Sequence, residues 1–468
     1  MTDQFRYPVH SFEWHNYLLR PWRLRWRLRT IPTHLGPEFQ NFYVLLGKSL
    51  HWSEEEIDRY QWQNISALLA HAARTVPFYR RWFSEQKLAA ADIRNWDDFR
   101  NLPIIRRADI DNNLADFTSS ELKQHRGSPS MTSGSSGRAL RFFRSWDTES
   151  FRRAVQWRHF NQIGFHFKEP RVSLNIPFVK GEADLLYKYD PIDNLVMFNG
   201  RFIHVSSAKA IYDVIQKFKP RMFYAHPVAL ATLAKSLKEV GLPPLNIPVV
   251  YVYSEVLSAA TLRTIQRYIG PNVYDHFGNR ENSVNASQFL CGNYHINSEF
   301  VYTELVPSQF KSEGAPLGNV VGTNLVNYAM PVIRYDCADL ATAISTCDKC
   351  KIAHKTIRFI GGRDKNFLVS KNGLLHCQYD DFLHKLGIEI PDDIQIEQID
   401  LENLVLHIVA GADYVAERDE PLLVSYLKDA TKGWFNIRVN YVDVIPMTEG
   451  FKKSKVVSRL GVEYLEKK

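Results

Sequence analysis

The chain has 468 residues, 45% hydrophobic and 23% charged, an ordinary globular composition that excludes wholesale disorder and low-complexity or collagen-like architecture. The net charge of +7, from 58 basic and 51 acidic residues, is too small for this length to point to nucleic acid. At about 150 residues per domain the length predicts two to four domains, whose cores need no disulfides.

Five cysteines, an odd number, with no apolar h-region among residues 1–12, predict a reducing, cytoplasmic setting. The sequence holds no uncharged apolar run of about 18 residues, so no spanning helix is expected. Residues 1–60 read as a basic, aromatic N-terminal arm. It carries Arg20, Arg23, Arg25, Arg27 and Arg29 with Trp22 and Trp26. This cluster suits weak peripheral contact with an anionic membrane face. It equally suits an arm whose tryptophans pack on the main domain while the arginines face water. The alternating arginines do not fit a clean amphipathic helix.

The first hundred residues otherwise read as helical. Leu68, Leu69, Ala72 and Ala73 recur at helical spacing until Pro77 stops the pattern. Gly47-Lys48-Ser49 is no Walker loop, because Phe42 occupies the position of its first glycine. A loop of small residues spans 128–137. Beyond it, strands are expected over 172–176, 222–224 and 249–253, with helices over 208–218, 229–240 and 259–268. That alternation predicts an α/β architecture with a largely buried sheet. The tail changes character after residue 363. Alternating strands at 394–397 and 437–440, a strand at 404–409, and helices at 380–386 and 421–430 form a small α+β unit. Gly361-Gly362 marks the boundary. The expected domains are thus 1–362 and 363–468.

The segment Thr132, Ser133, Gly134, Ser135, Ser136, Gly137 puts four hydroxyls and two glycines into six residues. Glycines let backbone N–H groups approach an anion and hydroxyls add donors, so the loop suits a polyphosphate. Downstream come Tyr253-Ser254-Glu255, the run from Tyr274 through Phe277 and Gly278 to Glu281, Arg334 to Asp339, Gly362-Arg363-Asp364-Lys365, and Gly450-Phe451-Lys452-Lys453-Ser454-Lys455. Ala73 to Arg80 and Leu102-Pro103-Ile104 lie upstream. In order and spacing this set resembles the adenylate-forming (acyl- and aryl-CoA ligase) superfamily, in its phenylacetate–CoA ligase and CapK-type branch. The resemblance runs from about residue 65 to 460.

The resemblance implies a large N-terminal α/β domain with mixed sheets and a small mobile C-terminal α+β domain. It implies ATP-dependent, AMP-forming activation of a small carboxylic acid, aryl or medium apolar. The acyl group then passes to CoA, a carrier thiol or another nucleophile. Residues 132–137 would hold the leaving phosphates, with Arg138 or Arg141 where the family has a lysine. Glu281 would reach Mg²⁺, a hard cation suited to carboxylate oxygen. Ser254, Glu255, Tyr274, Phe277 and Gly278 would border the adenine, and Asp339 would bind the ribose, with Ala338 replacing the family's glycine. Arg363 would contact the nucleotide and Lys365 would be the hinge. Lys452 would stabilise charge in adenylation, with Lys453 and Lys455 as rivals and Phe451 replacing a glycine. The acid would lie near residues 175–178, 224–227 and Tyr253.

Cys291-x₃-His295 and Cys347-x₂-Cys350 are short-spaced soft pairs that would close a structural, tetrahedral Zn²⁺ site; the alternatives are free thiols in loops or a different fourth ligand such as His354. Cys337 and Cys377 read as isolated thiols. The Ala338 and Phe451 departures motivate a second reading, a non-catalytic nucleotide-binding relative serving as scaffold or regulator. A third is a CapK-like protein modifying a polysaccharide. No Gly-x-Ser-x-Gly elbow or His-Glu-x-x-His pattern occurs.

Overall fold

The computed structural model describes residues 35–132, 140–175, 184–257, 259–312, 315–363, 367–371, 373–376, 393–411, 414–445, 456–458 and 460. Two compact units result. Among the described residues, the first takes in those up to Leu50, Ser150–Gly278 and Ala286–His295; the second takes in His51–Glu149, Asn279–Asn285 and those from Ile296.

The first unit is built on strands β1 (Arg171–Asn175), β2 (Tyr187–Asp190), β3 (Leu195–Asn199), β4 (Met222–Ala225), β5 (Val249–Tyr253) and β6 (Val273–Gly278). They lie in the order β2-β3-β1-β4-β5-β6. All neighbours are parallel except the β2–β3 edge pair, which is antiparallel. Helices Val205–Phe218, Pro227–Glu239 and Ala259–Tyr268 connect successive parallel strands, as parallel pairing requires. Ala208, Ile211 and Ile215 recur at helical spacing and are buried, as are Leu230, Leu233, Ala234 and Leu237. These stripes pack in one core with Val172, Leu174, Val196, Phe198, Phe223, Val250 and Val252. Each fully buried aliphatic side chain contributes about 1.5–3 kcal/mol, so Ile211→Ala would cost about 2–5 kcal/mol. Lys219, at φ +53°, ends the first of these helices in the left-handed region.

The second unit contains an antiparallel meander of β7 (Val301–Ser312), β8 (Ala315–Asn324), β9 (Tyr335–Ser345) and β10 (Thr356–Arg363). A mixed sheet follows in the order β13-β12-β11-β14. Its strands are β11 (Asp393–Gln398), β12 (Asn403–Val409), β13 (Asn436–Tyr441) and β14 (Val456–Ser458). Along β12 burial alternates residue by residue, as expected of a half-buried strand. Ile394, Ile396, Leu404, Leu406 and Ile408 pack with Leu423 and Leu427 of helix Ala416–Ala430.

The expected strands and helices recur with ends shifted by a few residues. The helix expected over 421–430 begins a turn earlier, at Ala416, and keeps Pro421 inside it. The Asp419 carboxylate accepts from the Val415 N–H at 2.8 Å and closes the first turn; proline so near the start forfeits one backbone bond. The loop expected over 128–137 begins as a strand, Ser128–Met131, paired antiparallel with Arg141–Arg144. Gly361 and Gly362 lie inside β10. Gly47-Lys48-Ser49 ends helix Gly36–Ser49, a geometry no phosphate loop has. The helix expected over 380–386, residues 1–34 with their arginines, and Cys377 lie outside the described residues. No helix among the described residues is long and apolar enough to cross a membrane.

Candidate functional site

In the second unit Thr132, the first residue of the hydroxyl-rich segment, follows strand Ser128–Met131, which pairs antiparallel with Arg141–Arg144. Thr132 extends that pairing by one residue: the Thr132 N–H donates to the Leu140 carbonyl at 3.0 Å, and Thr132 Oγ1 accepts from the Leu140 N–H at 2.9 Å. The hydroxyl proton keeps its donor capacity. Ser133, Gly134, Ser135, Ser136, Gly137 and Arg138 lie outside the described residues, whereas Arg141 is exposed at the start of the return strand.

Glu281 sits on a turn pinned by Asn279. The Asn279 side chain accepts from the Ser283 N–H at 2.9 Å and donates to Ser283 Oγ at 2.7 Å. Asn282 takes φ +57°, and its carbonyl accepts from Asn324 Nδ2 at 2.8 Å. Gly322 underlies this turn; a Cβ there would lie 2.1 Å from the Ser283 carbonyl oxygen, so only glycine fits. Glu281 Oε1 accepts a hydrogen bond from Tyr335 Oη at 3.1 Å. The second carboxylate oxygen suits a hard cation such as Mg²⁺.

Tyr335 and Asp339 share β9, and the register sets Asp339 opposite Arg363 of β10. Between them Ala338 adopts φ +60°, and its N–H donates to Asp336 Oδ1 at 2.9 Å. Alanine thus stands where the left-handed region favours glycine. Cys337 is buried and its thiol donates to the Val320 carbonyl at 3.0 Å; burial pushes its pKa up.

Arg334, also at φ +54°, carries structural weight that the sequence did not disclose. It is buried and pairs with buried Glu304 at 3.1 and 3.2 Å. It also donates to the carbonyls of Arg100 and Leu102. Its own carbonyl accepts from the Ile105 N–H at 2.9 Å. The Leu102-Pro103-Ile104 segment is thereby fastened to the start of β9. Tyr79, from the upstream Ala73–Arg80 segment, accepts the Ile333 N–H at 2.8 Å. Both upstream segments therefore converge on the strand that carries Asp339.

In the first unit, Ser254, Glu255, Phe277 and Gly278 lie at or just past the carboxyl ends of β5 and β6, where open parallel sheets receive ligands. Tyr274 lies earlier on β6 and is half-buried, which raises its pKa. Ser254 is exposed at φ +66°. Glu255 accepts from the Val228 N–H at 3.2 Å, capping helix Pro227–Glu239, with His226 Nδ1 at 3.6 Å. Tyr253 stacks on Tyr224 at 4.4 Å, and Tyr224 Oη accepts from Gln156 Nε2 at 3.1 Å. Residues 176–178 lie outside the described residues. The sequence reading missed Asp275, buried beside these groups. Its carboxylate accepts from Tyr294 Oη at 2.7 Å, and burial raises its pKa to about 6.

The same unit brings Cys291 Sγ to 3.3 Å from His295 Nε2, with the buried His295 ring stacked on Phe289 at 4.5 Å. In the second unit, half-buried Cys347 and Cys350 lie on the connection between β9 and β10. His354 Nε2 lies 3.3 Å from Glu299 Oε1, both residues buried. Lys365, Lys452, Lys453 and Lys455 lie outside the described residues, and Arg363 is placed by its backbone.

No protein-family model matches the chain, and no curated protein matches it. Solved structures do match. A 2-hydroxyisobutyryl-CoA ligase in the postadenylation state with R3-HIB-AMP gives a TM-score of 0.66 at 15% identity, covering 90% of this chain and 93% of that one. The same ligase with 2-HIB-AMP gives 0.64 at 16% over the same shares. In its thioesterification state, with 2-HIB-AMP and CoA, it gives 0.51 at 17%, covering 88% and 91%. The fold is that of the adenylate-forming CoA ligases, with a large N-terminal and a smaller C-terminal domain.

Proposed function

We propose that this chain is an AMP-forming ligase that activates a small carboxylic acid with ATP and passes the acyl group to a thiol, CoA by default. The observation that carries the reading is the arrangement around β9. Glu281 is bonded to Tyr335, four residues before Asp339, and Asp339 is in register with Arg363. The Glu281 turn, β9 and the end of β10 are thus tied together by one side-chain bond and one backbone register. The fold shared with a ligase solved with an acyl-AMP supports the same reading.

In the proposed reaction a carboxylate oxygen attacks the α-phosphorus of ATP. The bond to the bridging oxygen breaks and pyrophosphate leaves. Asp339 accepts hydrogen bonds from the ribose hydroxyls. The hydroxyl- and glycine-rich segment 132–137 receives the leaving phosphates. Glu281 would hold Mg²⁺, which supplies charge neutralisation on the phosphates. Arg363 contacts the nucleotide. Lys452 stabilises charge on the α-phosphate and carboxylate oxygens. The Tyr253 and Phe277 neighbourhoods border the adenine. A thiolate then attacks the acyl carbon and AMP leaves. Residues 363–468 act as the mobile domain, pivoting at Lys365.

The stacked tyrosines 224 and 253, with Gln156, favour an aryl or medium apolar acid. The phenylacetate–CoA ligase and CapK-type branch, and a cytoplasmic setting, belong to the same proposal. Cys291, His295, Cys347 and Cys350 together hold a structural Zn²⁺ in this reading; each offers one soft or borderline ligand atom. The test of the function is ATP–pyrophosphate exchange over a panel of aryl, fatty and hydroxy acids, with Mg²⁺ present and CoA absent. Acid-dependent exchange is expected, and its absence across the panel would overturn the reading.

A further inference from the structure

A second ligand cluster lies wholly within the second unit, on groups the proposed reaction does not use. His71 projects from helix Glu54–Thr75, while Glu121 and His125 stand four residues apart on the turn that follows Ser119. The two carriers are fixed to one another. The Ser120 N–H donates to the Thr75 carbonyl at 3.0 Å, and the Ser119 N–H to the Ala329 carbonyl at 3.1 Å.

His71 Nε2 is 2.9 Å from the Tyr328 carbonyl, an acceptor only, so this nitrogen carries the proton. Ser119 Oγ also approaches it, at 3.3 Å. His71 Nδ1 therefore presents a lone pair, 3.7 Å from Glu121 Oε2. His125 Nε2 is 3.7 Å from the same oxygen. It is buried and has no hydrogen-bond partner among the described residues. A separation of 3.7 Å is too long for a hydrogen bond. It is close to the edge, about 3.4 Å, of a tetrahedron of ligands at zinc distances. The three ligand atoms lie within 4.8 Å of one another.

We propose that His71 Nδ1, Glu121 Oε2 and His125 Nε2 bind one late first-row divalent ion of the zinc class, with solvent completing the shell. Two imidazoles and a carboxylate suit that class rather than Mg²⁺ or Ca²⁺. The His71 bond to the Tyr328 carbonyl is the outer-shell contact that orients a ligating histidine. Arg74 bonds both Glu121 oxygens, with Nη2–Oε2 at 3.1 Å. Its side chain is 62% exposed, so it can keep Oε1 and cede Oε2 to the ion. The Tyr328 ring stacks on His125 and meets His71 edge-on, walling the cluster on one side.

The test is Zn²⁺ stoichiometry and affinity on the chelator-stripped full chain, by competition with a chromophoric chelator. His125→Gln and Glu121→Gln should each bind one ion fewer per chain, their affinity at this site weakened at least ~100-fold. The ion should persist in Cys347→Ser/Cys350→Ser, where bound Co²⁺ should show visible bands without thiolate charge transfer. Stoichiometry unchanged in both His125→Gln and Glu121→Gln, with folded far-UV spectra, would overturn the proposal. So would a thermal transition that responds at these residues to pH but not to Zn²⁺, since an imidazolium–carboxylate contact would then account for the cluster. Neither readout depends on ligase activity.

Discussion

Tyr335 Oη donates to Glu281 Oε1 across 3.1 Å, joining segments 54 residues apart. Burial, reinforced by the neighbouring carboxylate, raises the Tyr335 pKa above its ordinary value, so the hydroxyl stays a donor near neutral pH. It orients one oxygen of Glu281 and leaves the other for a cation. Tyr335→Phe should raise the Mg²⁺ concentration needed for half-maximal pyrophosphate exchange about tenfold, the size expected for a hydrogen bond to a charged group. An unchanged Mg²⁺ requirement would separate Glu281 from metal binding.

Ala338 occupies φ +60° next to Asp339. The left-handed region costs a non-glycine residue about 1 kcal/mol or more, partly offset by the greater freedom glycine gains on unfolding. Ala338→Gly should therefore be neutral to stabilising by up to ~1 kcal/mol, whereas Ala338→Val should destabilise by more than that. Denaturant melts of the two variants decide it, and a clear loss of stability in Ala338→Gly would contradict the strain.

Arg334 and Glu304 form a buried pair, and burial pushes the Glu304 pKa up against the pull of Arg334. Removing one partner strands a charge. Arg334→Met should cost about 3–5 kcal/mol, and adding Glu304→Leu should recover a substantial part. A double variant no more stable than the single one would show that the Arg100 and Leu102 carbonyls, not Glu304, dominate the loss.

His159 is buried in the first unit, bonded through Nε2 to the Gln288 carbonyl at 2.7 Å. Burial lowers its pKa to about 3. The folded chain excludes a proton that the unfolded chain accepts below about pH 6.5, so stability falls as pH drops from there towards 3. Between pH 7 and 5 wild type should lose on the order of 2 kcal/mol more than His159→Gln. Asp275 acts in the opposite sense. Its pKa, raised to about 6, favours the protonated fold, and stability falls as pH rises from about 4 to 6. Asp275→Asn should steepen the acid loss that His159→Gln flattens. Parallel pH–stability curves for both variants and wild type would contradict these assignments.

Local pattern carried the regular elements. The strand 249–253 and the helix 259–268 match the sequence pattern to the residue, because β-branched and aromatic runs and helical stripes are short-range signals. Pairing and closure were not legible. Nothing in Leu102-Pro103-Ile104 announces that Arg334 fastens it, because that bond spans more than 200 residues. Asp339 was found as a motif residue, but its register against Arg363 depends on a bulged strand pair. The His71–Glu121–His125 cluster went unread. Glu121-x₃-His125 is an i, i+4 pair that spacing offers, but its third member lies 48 residues from Ser119 on another element.

The central claim is adenylation, and ATP–pyrophosphate exchange tests it most directly. The wild-type chain with Mg²⁺, ATP, labelled pyrophosphate and an acid panel should catalyse exchange that depends on at least one aryl or medium apolar acid. Asp339→Ala should weaken ATP binding about 10–100-fold, and Lys452→Ala should abolish exchange while the fold and ATP binding persist. Tight ATP binding with no exchange for any acid, identical in wild type and Lys452→Ala, would contradict the ligase reading and favour a nucleotide-binding protein without chemistry.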